Sequence, residues 1–261
     1  MSRSSSLLPD GFLERCGDIV GTDRVLLEPD ARAPYEVDFW RHIDGVAAAV
    51  VRPRTTAEVA ALVALAGAQG VAIVPQGGNT GLVGGGIPDH SGRQVVLSLA
   101  GLDRVRAVDP RGEWLVAEAG CTLAAVQAAA EAAGRLFPLS LGSEGTCQIG
   151  GNLSSNAGGV NVIRYGMARE MVLGLEVVLA DGRVWQVEAI AQPQDQRGAA
   201  EDDEHPAERR GRRRRRFAGA RAAEHGREQD EDRDHDGGDA GVAPQPAPGP
   251  LVGSHLVTVG R

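Results

Sequence analysis

Pro75-Gln-Gly-Gly-Asn-Thr-Gly-Leu-Val-Gly-Gly-Gly-Ile-Pro88 follows directly on the apolar run at residues 71–74. A strand that runs into a glycine-rich turn exposes successive backbone N–H groups, which can cradle a pyrophosphate without any cationic side chain. Glycine suits positions where the backbone must come close to a ligand. The spacing is not G-x-G-x-x-G, and Pro88 and Asp89 stand where that motif demands a long helix, so a nicotinamide-binding Rossmann loop is a poor reading. On these residues alone, a glycine-rich surface loop without a ligand is the other reading.

A second stretch has related chemistry: Gly142-Ser-Glu-Gly-Thr-Cys-Gln-Ile-Gly-Gly-Asn-Leu-Ser-Ser-Asn-Ala-Gly-Gly159. Six glycines lie among small hydroxyl and amide side chains, with Ile149 and Leu153 as the sizeable apolar anchors. Such a composition suits backbone passing along a flat polar ligand, although a Gly/Asn-rich turn region would look the same.

Outward from these stretches the chain reads as alternating strand and helix. Residues 47–52 form a buried-strand pattern ended by Pro53. Thr55-Thr-Ala-Glu58 offers a capping box. Val59, Leu62, Val63 and Ala66 then recur at helical spacing, and Gly70 stands where a helix would stop. With the strand at 71–74 this makes β-α-β, with a connection long enough for a right-handed crossover. Residues 95–99 read as another strand, and 105–108 pair with 114–117 across Asp109-Pro-Arg-Gly112. Thr122 caps a helix that carries Leu123, Val126, Ala130 and Ala133 on one face and ends at Gly134. Residues 172–179 and 184–185 flank Asp181-Gly182 as a hairpin. Ahead of all this, residues 6–16 read as a short helix and 35–43 as an aromatic-rich lead-in.

Composition excludes several classes of function. All 27 basic residues are arginine, so a lysine Schiff base, a lysine general base and a G-K-[ST] phosphate loop are ruled out. The net charge of −8 gives no support to a broad electrostatic grip on nucleic acid. Cys16, Cys121 and Cys147 are too few and too scattered for a disulfide framework or a zinc knuckle. Cys121 reads as a small buried residue, and Cys147 carries no functional signal of its own. His42 and His90 read as ordinary surface or core residues. No apolar run approaches the ~20 residues that span a bilayer, and the first ten residues lack the apolar stretch of a secretory signal. A cytoplasmic protein is the expectation.

The average hides a break. Between residues 191 and 241 the only large apolar side chain is Phe217, set among Glu201-Asp-Asp-Glu204, the basic run 212–216 and the mixed run 228–236. Such a segment cannot bury enough surface to offset its ordering entropy. Pro244-Gln-Pro-Ala-Pro-Gly-Pro250 then favours extended backbone. Residues 191–261 therefore read as a disordered charged and Pro-rich tail. Its arginines at 209–216 are flanked by acids, and His205, His225 and His235 are too widely spaced to read as a metal tract.

Together the two glycine-rich stretches resemble the flavoprotein family of vanillyl-alcohol oxidase and p-cresol methylhydroxylase (PCMH), more narrowly its D-2-hydroxyglutarate, D-lactate and glycolate dehydrogenase branch. The resemblance rests on Val50-Val-Arg-Pro53, Pro75-Gln-Gly-Gly-Asn-Thr-Gly81, Ala119-Gly120, Ile149-Gly-Gly-Asn152, Asn156-Ala-Gly-Gly159, Arg164-Tyr-Gly166 and Leu173-Gly-Leu-Glu-Val-Val-Leu-Ala-Asp-Gly182. It implies an α+β, PCMH-type FAD-binding fold of two subdomains, a small βαβ subdomain and a mixed or antiparallel sheet with helices. The lead-in would occupy 1–44, the FAD-binding domain 45–190, incomplete at its C-terminal end, and the tail 191–261. It implies further that Gly77, Gly78, Asn79, Thr80 and Gly81 hold the FAD diphosphate. Gly142, Thr146, Gly150, Gly151, Asn152, Ser155, Asn156 and Gly159 would line the flavin and its ribityl chain. Relatives with covalent flavin carry a histidine where this chain has Asn79, which implies non-covalent FAD.

The implied activity is oxidation of a D-2-hydroxy acid by hydride transfer to the flavin. Family members continue past the Asp-Gly hairpin with a G-[AS]-E-G-T-L-G segment and a substrate domain bearing metal-ligating histidines, and neither is found here. No catalytic or metal-binding residue can be carried over, and this chain alone is expected to be inactive. The tail has the bias of a GC-rich gene read in a shifted frame. The rival readings are a flavin-binding or regulatory protein without turnover, and a fragment without function.

Overall fold

The computed structural model describes residues 7–111, 114–188 and 256–260. Contacts divide the chain into Met1–Ala191 with Gly249–Arg261, and Gln192–Pro248. The second unit lies outside the described residues, and with it the charged runs and the histidines of the expected tail.

The first helix, α1 (Phe12–Val20), begins later than the sequence suggests. Gly11 ahead of it is left-handed at φ 71°, and Phe12 N–H bonds back to Pro9, so the chain turns before it coils. Strand β1 (Val25–Leu26) and the single turn α2 (Pro29–Arg32) follow. Next come β2 (Ala47–Val51), α3 (Thr56–Gln69), β3 (Ile73–Gln76) and β4 (Gln94–Ser98). The sheet order is β1-β2-β4-β3, with β2, β4 and β3 mutually parallel and β1 antiparallel at the edge. The β2-α3-β3 crossover therefore skips one position, which β4 fills.

The ends of α3 are set by the residues that announced them. Thr55 Oγ1 accepts from Glu58 N–H at 3.1 Å, and Glu58 Oε2 reaches back to Arg54 N–H at 2.7 Å. At the other end Gly70 is left-handed, and Val71 N–H bonds to Ala66 C=O, as a Schellman stop requires. That bond holds Val71 in the cap and delays β3 until Ile73.

Alternate residues of the parallel strands enter two cores, so the sheet is covered on both faces. Val51, Val95 and Leu97 pack with Val59, Leu62 and Val63 of α3 and with Phe12, Cys16 and Val20 of α1. Ala47, Val50 and Val96 pack with Leu26 and Tyr35 of the lead-in. The lead-in is thus a working part of the first subdomain.

The second subdomain opens with the hairpin β5 (Val105–Asp109) and β6 (Trp114–Glu118). It continues through α4 (Leu123–Ala132), the short α5 (Ile149–Ser154) and α6 (Val162–Tyr165) to a second hairpin, β7 (Val172–Val178) and β8 (Val184–Glu188). Thr122 Oγ1 caps α4 through Ala125 N–H, and Gly134 is left-handed after its end. Leu115, Leu123, Val126, Phe137, Ile149 and Leu153 share this core. Cys121 is buried in it, and burial pushes its thiol up to about 11.

Between the hairpins lies β9 (Leu256–Gly260), antiparallel to both β6 and β7, in the order β5-β6-β9-β7-β8. This corrects the expectation that residues 191–261 are disordered throughout. Leu-Val-Thr-Val-Gly is good strand sequence, and it occupies the gap where β6 and β7 would otherwise face each other with unpaired edges.

Glu118 ends β6 with its side chain 1% exposed. It accepts Arg104 N–H at 2.9 Å, Arg104 Nη2 at 2.9 Å and Arg106 Nε and Nη2 at 2.9 and 2.8 Å. Burial works to raise its pKa, but the bonds and charges of the two arginines outweigh it and hold the carboxyl below its ordinary value. This clamp fixes the chain just ahead of Ala119-Gly120. Among the described residues no helix is long and apolar enough to cross a membrane.

Candidate cofactor site

The first glycine-rich stretch leaves β3 at the carboxyl end of the parallel strands, where open α/β sheets place their ligands. Its start is fixed by Gln76, which is buried and donates from Nε2 to Tyr35 C=O at 2.9 Å and to Gly86 C=O at 2.7 Å. The loop is thereby tied at both ends to protein already in place.

The second stretch comes to meet it. A bridge between Thr122 and Gln148 pins the strand-like approach to α5, with Ile149 N–H on Cys121 C=O and Leu123 N–H on Cys147 C=O. A Cβ on Gly78 would stand 2.0 Å from Thr146 O and 3.0 Å from Cys147 Cα. A Cβ on Gly77 would stand 3.4 Å from Gln148 Oε1 and 3.8 Å from Gly151 N. The two stretches are thus laid backbone against backbone, and only glycine at 78 permits it.

Several of the polar side chains singled out in sequence have internal partners. Asn79 is left-handed at φ 52° and donates from Nδ2 to Val37 C=O at 2.8 Å and Pro34 C=O at 3.4 Å. It ties the loop to the lead-in. Asn152 is buried and directs Nδ2 to Cys147 Sγ at 3.6 Å. Asn156, also left-handed, accepts from Arg169 N–H at 3.1 Å. Arg169 in turn donates to Leu153 and Ser154 C=O, closing the end of α5. Gly150 packs on Ala119, and Gly159 approaches Ser140 C=O. What remains for a ligand is backbone at residues 77–81, Gly142 and Gly151, with the hydroxyls of Thr146 and Ser155. Thr146 Oγ1 donates to Ser143 C=O at 3.3 Å and Ser155 Oγ to Gly151 C=O at 2.9 Å, which leaves their lone pairs as acceptors.

Three further observations fit a cofactor with an apolar part and hydrogen-bond-donating groups. Among the described residues, Gly81, Gly142 and Gly151 have no atom within 4 Å of a Cβ position, so packing against those residues does not require glycine there. Leu82 and Val83 stand exposed beside Gly81. Gln148 is buried, yet its Oε1 has no donor. Sequence reasoning passed over Gln148, Gln76 and Arg169; only the position of Gln148 between Cys147 and the small helix α5 could have marked it. His42 and His90 are both exposed. Among the described residues no group of three or more His, Cys, Asp or Glu converges as a metal site would. A cavity of about 360 Å³ opens elsewhere, among Trp114, Arg135, Phe137 and Tyr165, and none of its lining residues belongs to either glycine-rich stretch.

A two-subdomain fold with a cofactor cradle of glycine backbone defines a flavin-binding domain. Residues 47–188 match the FAD binding domain family, and the chain belongs to it. The architecture is shared with alkyldihydroxyacetonephosphate synthase, at TM-score 0.64 and 19% identity over 72% of this chain and 36% of that one. It is shared also with p-cresol methylhydroxylase, at TM-score 0.56 and 23% identity over 69% and 36%. In sequence the chain is similar to mitochondrial D-2-hydroxyglutarate dehydrogenase of Bos taurus, 45% identical over 161 residues, covering 62% of this chain and 29% of that protein. It is likewise 40% identical over 161 residues to D-2-hydroxyglutarate dehydrogenase of Xanthomonas citri pv. viticola, covering 62% and 34%. The chain thus spans about a third of the length of these relatives.

Proposed function

We propose that this chain supplies the FAD-binding part of a dehydrogenase that oxidises a D-2-hydroxy acid, with the FAD held non-covalently. The observation that carries the reading is the meeting of Gly77 and Gly78 with residues 146–151, in a chain 45% identical over 161 residues to D-2-hydroxyglutarate dehydrogenase. The backbone N–H groups of residues 77–81 would receive the diphosphate, as an arrangement of successive amides favours an anion without lysine. Gly151, Thr146 and Ser155 would face the ribityl chain and flavin. Bound FAD would supply the hydride acceptor, and the protein's part is to orient it and keep it in place. Asn79 supports non-covalent attachment, since an amide committed to Val37 C=O offers no nucleophile.

Removal of the alcohol proton and positioning of the substrate would fall to residues outside the matched region. Substrate positioning can be worth several orders of magnitude in rate, so this chain by itself should bind FAD but not turn over. The test is to titrate the purified full chain with FAD, following flavin fluorescence, and then to precipitate the loaded protein with acid. Saturable binding with all colour released to the supernatant is expected. Absence of binding would overturn the cofactor reading, and colour retained in the pellet would overturn non-covalent attachment. Bleaching of bound flavin by D-2-hydroxyglutarate would show that the chain holds a complete active site.

A further inference from the structure

We infer that Gln148 is a binding residue for the ribityl chain of FAD, its Oε1 accepting a hydrogen bond from a ribityl hydroxyl. The inference rests on the FAD reading above and adds a residue and a contact to it. Gln148 is 8% exposed, and its backbone is locked on both sides. It bridges Thr122, and its C=O accepts Asn152 N–H at 2.9 Å as α5 begins. Its Oε1 is shielded from solvent and has no donor among the described residues. It points at the junction of the two glycine-rich stretches, 3.4 Å from where a Gly77 Cβ would stand.

A buried acceptor left without a donor is costly, and native proteins rarely keep one without a reason.

The chemistry of the missing donor follows from the position. A diphosphate offers only acceptors, so an inward-facing carbonyl oxygen would repel it. Moving from the diphosphate towards the side of Gly151 and Ser155, the next groups of FAD that can donate are the ribityl hydroxyls. A glutamine oxygen placed between the two stretches meets that requirement. It would also select against an anionic ligand that continues as phosphate beyond the diphosphate.

The inference is tested by titrating the purified full chain with FAD and with FAD analogues lacking single ribityl hydroxyls, for the natural sequence and for Gln148→Met and Gln148→Leu. Methionine keeps the unbranched shape and removes the acceptor. FAD affinity should fall about tenfold in both variants, the scale of one hydrogen bond. One of the deoxyribityl analogues should bind the natural chain about tenfold more weakly than FAD and lose nothing further in the Met variant. The ligand-free melting temperature should stay level or rise, because an orphaned acceptor has been removed. If the natural chain binds no FAD, the cofactor reading fails and this inference with it. If it binds FAD and both variants bind equally well, only the role of Gln148 is overturned. An equal loss for FAD and every analogue, or a lowered ligand-free melting temperature, would make the residue a phosphate contact or a structural one and would equally overturn the assignment.

Discussion

Among the described residues, Gly81, Gly85, Gly142, Gly145 and Gly151 meet no atom within 4 Å of a Cβ position, whereas Gly78, Gly150 and Gly159 are pressed against backbone or side chain. Sequence alone puts Gly78, Gly81, Gly142, Gly150, Gly151 and Gly159 in one class, because composition records that the side chain is missing and not what occupies its place. The two groups should respond differently to substitution. Gly78→Ala forces a Cβ to 2.0 Å from Thr146 O and should lower both melting temperature and FAD affinity. Gly151→Ala lies within α5 and should stabilise the ligand-free chain by about 0.5–1 kcal/mol. If FAD passes there, the same variant should raise its Kd by about five- to thirty-fold, or 1–2 kcal/mol. Thermal melts paired with flavin titrations read both signs. The folded pKa of Glu118 lies below the ordinary carboxylate value, so its contribution is fully present above about pH 4.3 and is lost as the pH falls through the folded value. Glu118→Gln should cost about 1.5–3 kcal/mol at neutral pH. It should also flatten the acid limb of the stability profile below that pH. Chemical denaturation from pH 7 down to pH 3 checks this, and parallel acid limbs for the two proteins would show that Glu118 does not carry the dependence.

Elements with local signals were legible. Thr55 and Gly70 mark α3, Thr122 and Gly134 mark α4, and Asp181-Gly182 lies in the turn between β7 and β8. In each case the deciding bond joins residues within five positions of one another, and short-range spacing is what a single sequence displays. Strand order was not legible, because the insertion of β4 between β2 and β3 depends on pairings more than twenty residues apart. The place of β9 is the extreme case. Five residues with strand character follow a long charged segment, and nothing near them names β6 and β7 as partners. Since β9 pairs on both sides, each of its N–H groups faces a neighbouring strand. Val257→Pro or Val259→Pro should therefore cost about 1–3 kcal/mol through the lost ladder hydrogen bond and the strand carbonyl it leaves unpaired. Thermal unfolding of the full-length variants is the check. An unchanged melting temperature in both would show that the hairpins of β5-β6 and β7-β8 do not need the strand between them.

At the scale of the whole molecule, the candidate site exists because two subdomains with different sheets bring their glycine-rich stretches to one place. Each stretch was legible by itself. Their contact was not, since it depends on Gly78 meeting Thr146 across 68 positions of chain, ordered by two separate cores. The family match runs to residue 188, and the 161 matched residues make up only 29% and 34% of the two dehydrogenases. From 191 to 241 the sequence then carries a single large apolar residue, Phe217, together with an arginine, alanine, glycine, proline and aspartate bias. A domain whose sheet continues would need apolar residues at every second position of a strand, and a GC-rich gene read in a shifted frame produces this bias. The expected outcome is that another frame of the same DNA, beginning between the codons for Trp185 and Gln196, encodes a G-[AS]-E-G-T-L-G segment and then a histidine-bearing substrate domain. Restoring that frame should yield a protein that binds FAD more tightly than this chain and is bleached by D-2-hydroxyglutarate. Reading the coding DNA in all three frames decides the first part directly. An absence of any such open frame would leave the charged segment as the protein's own sequence, appended to an FAD-binding domain that β9 completes.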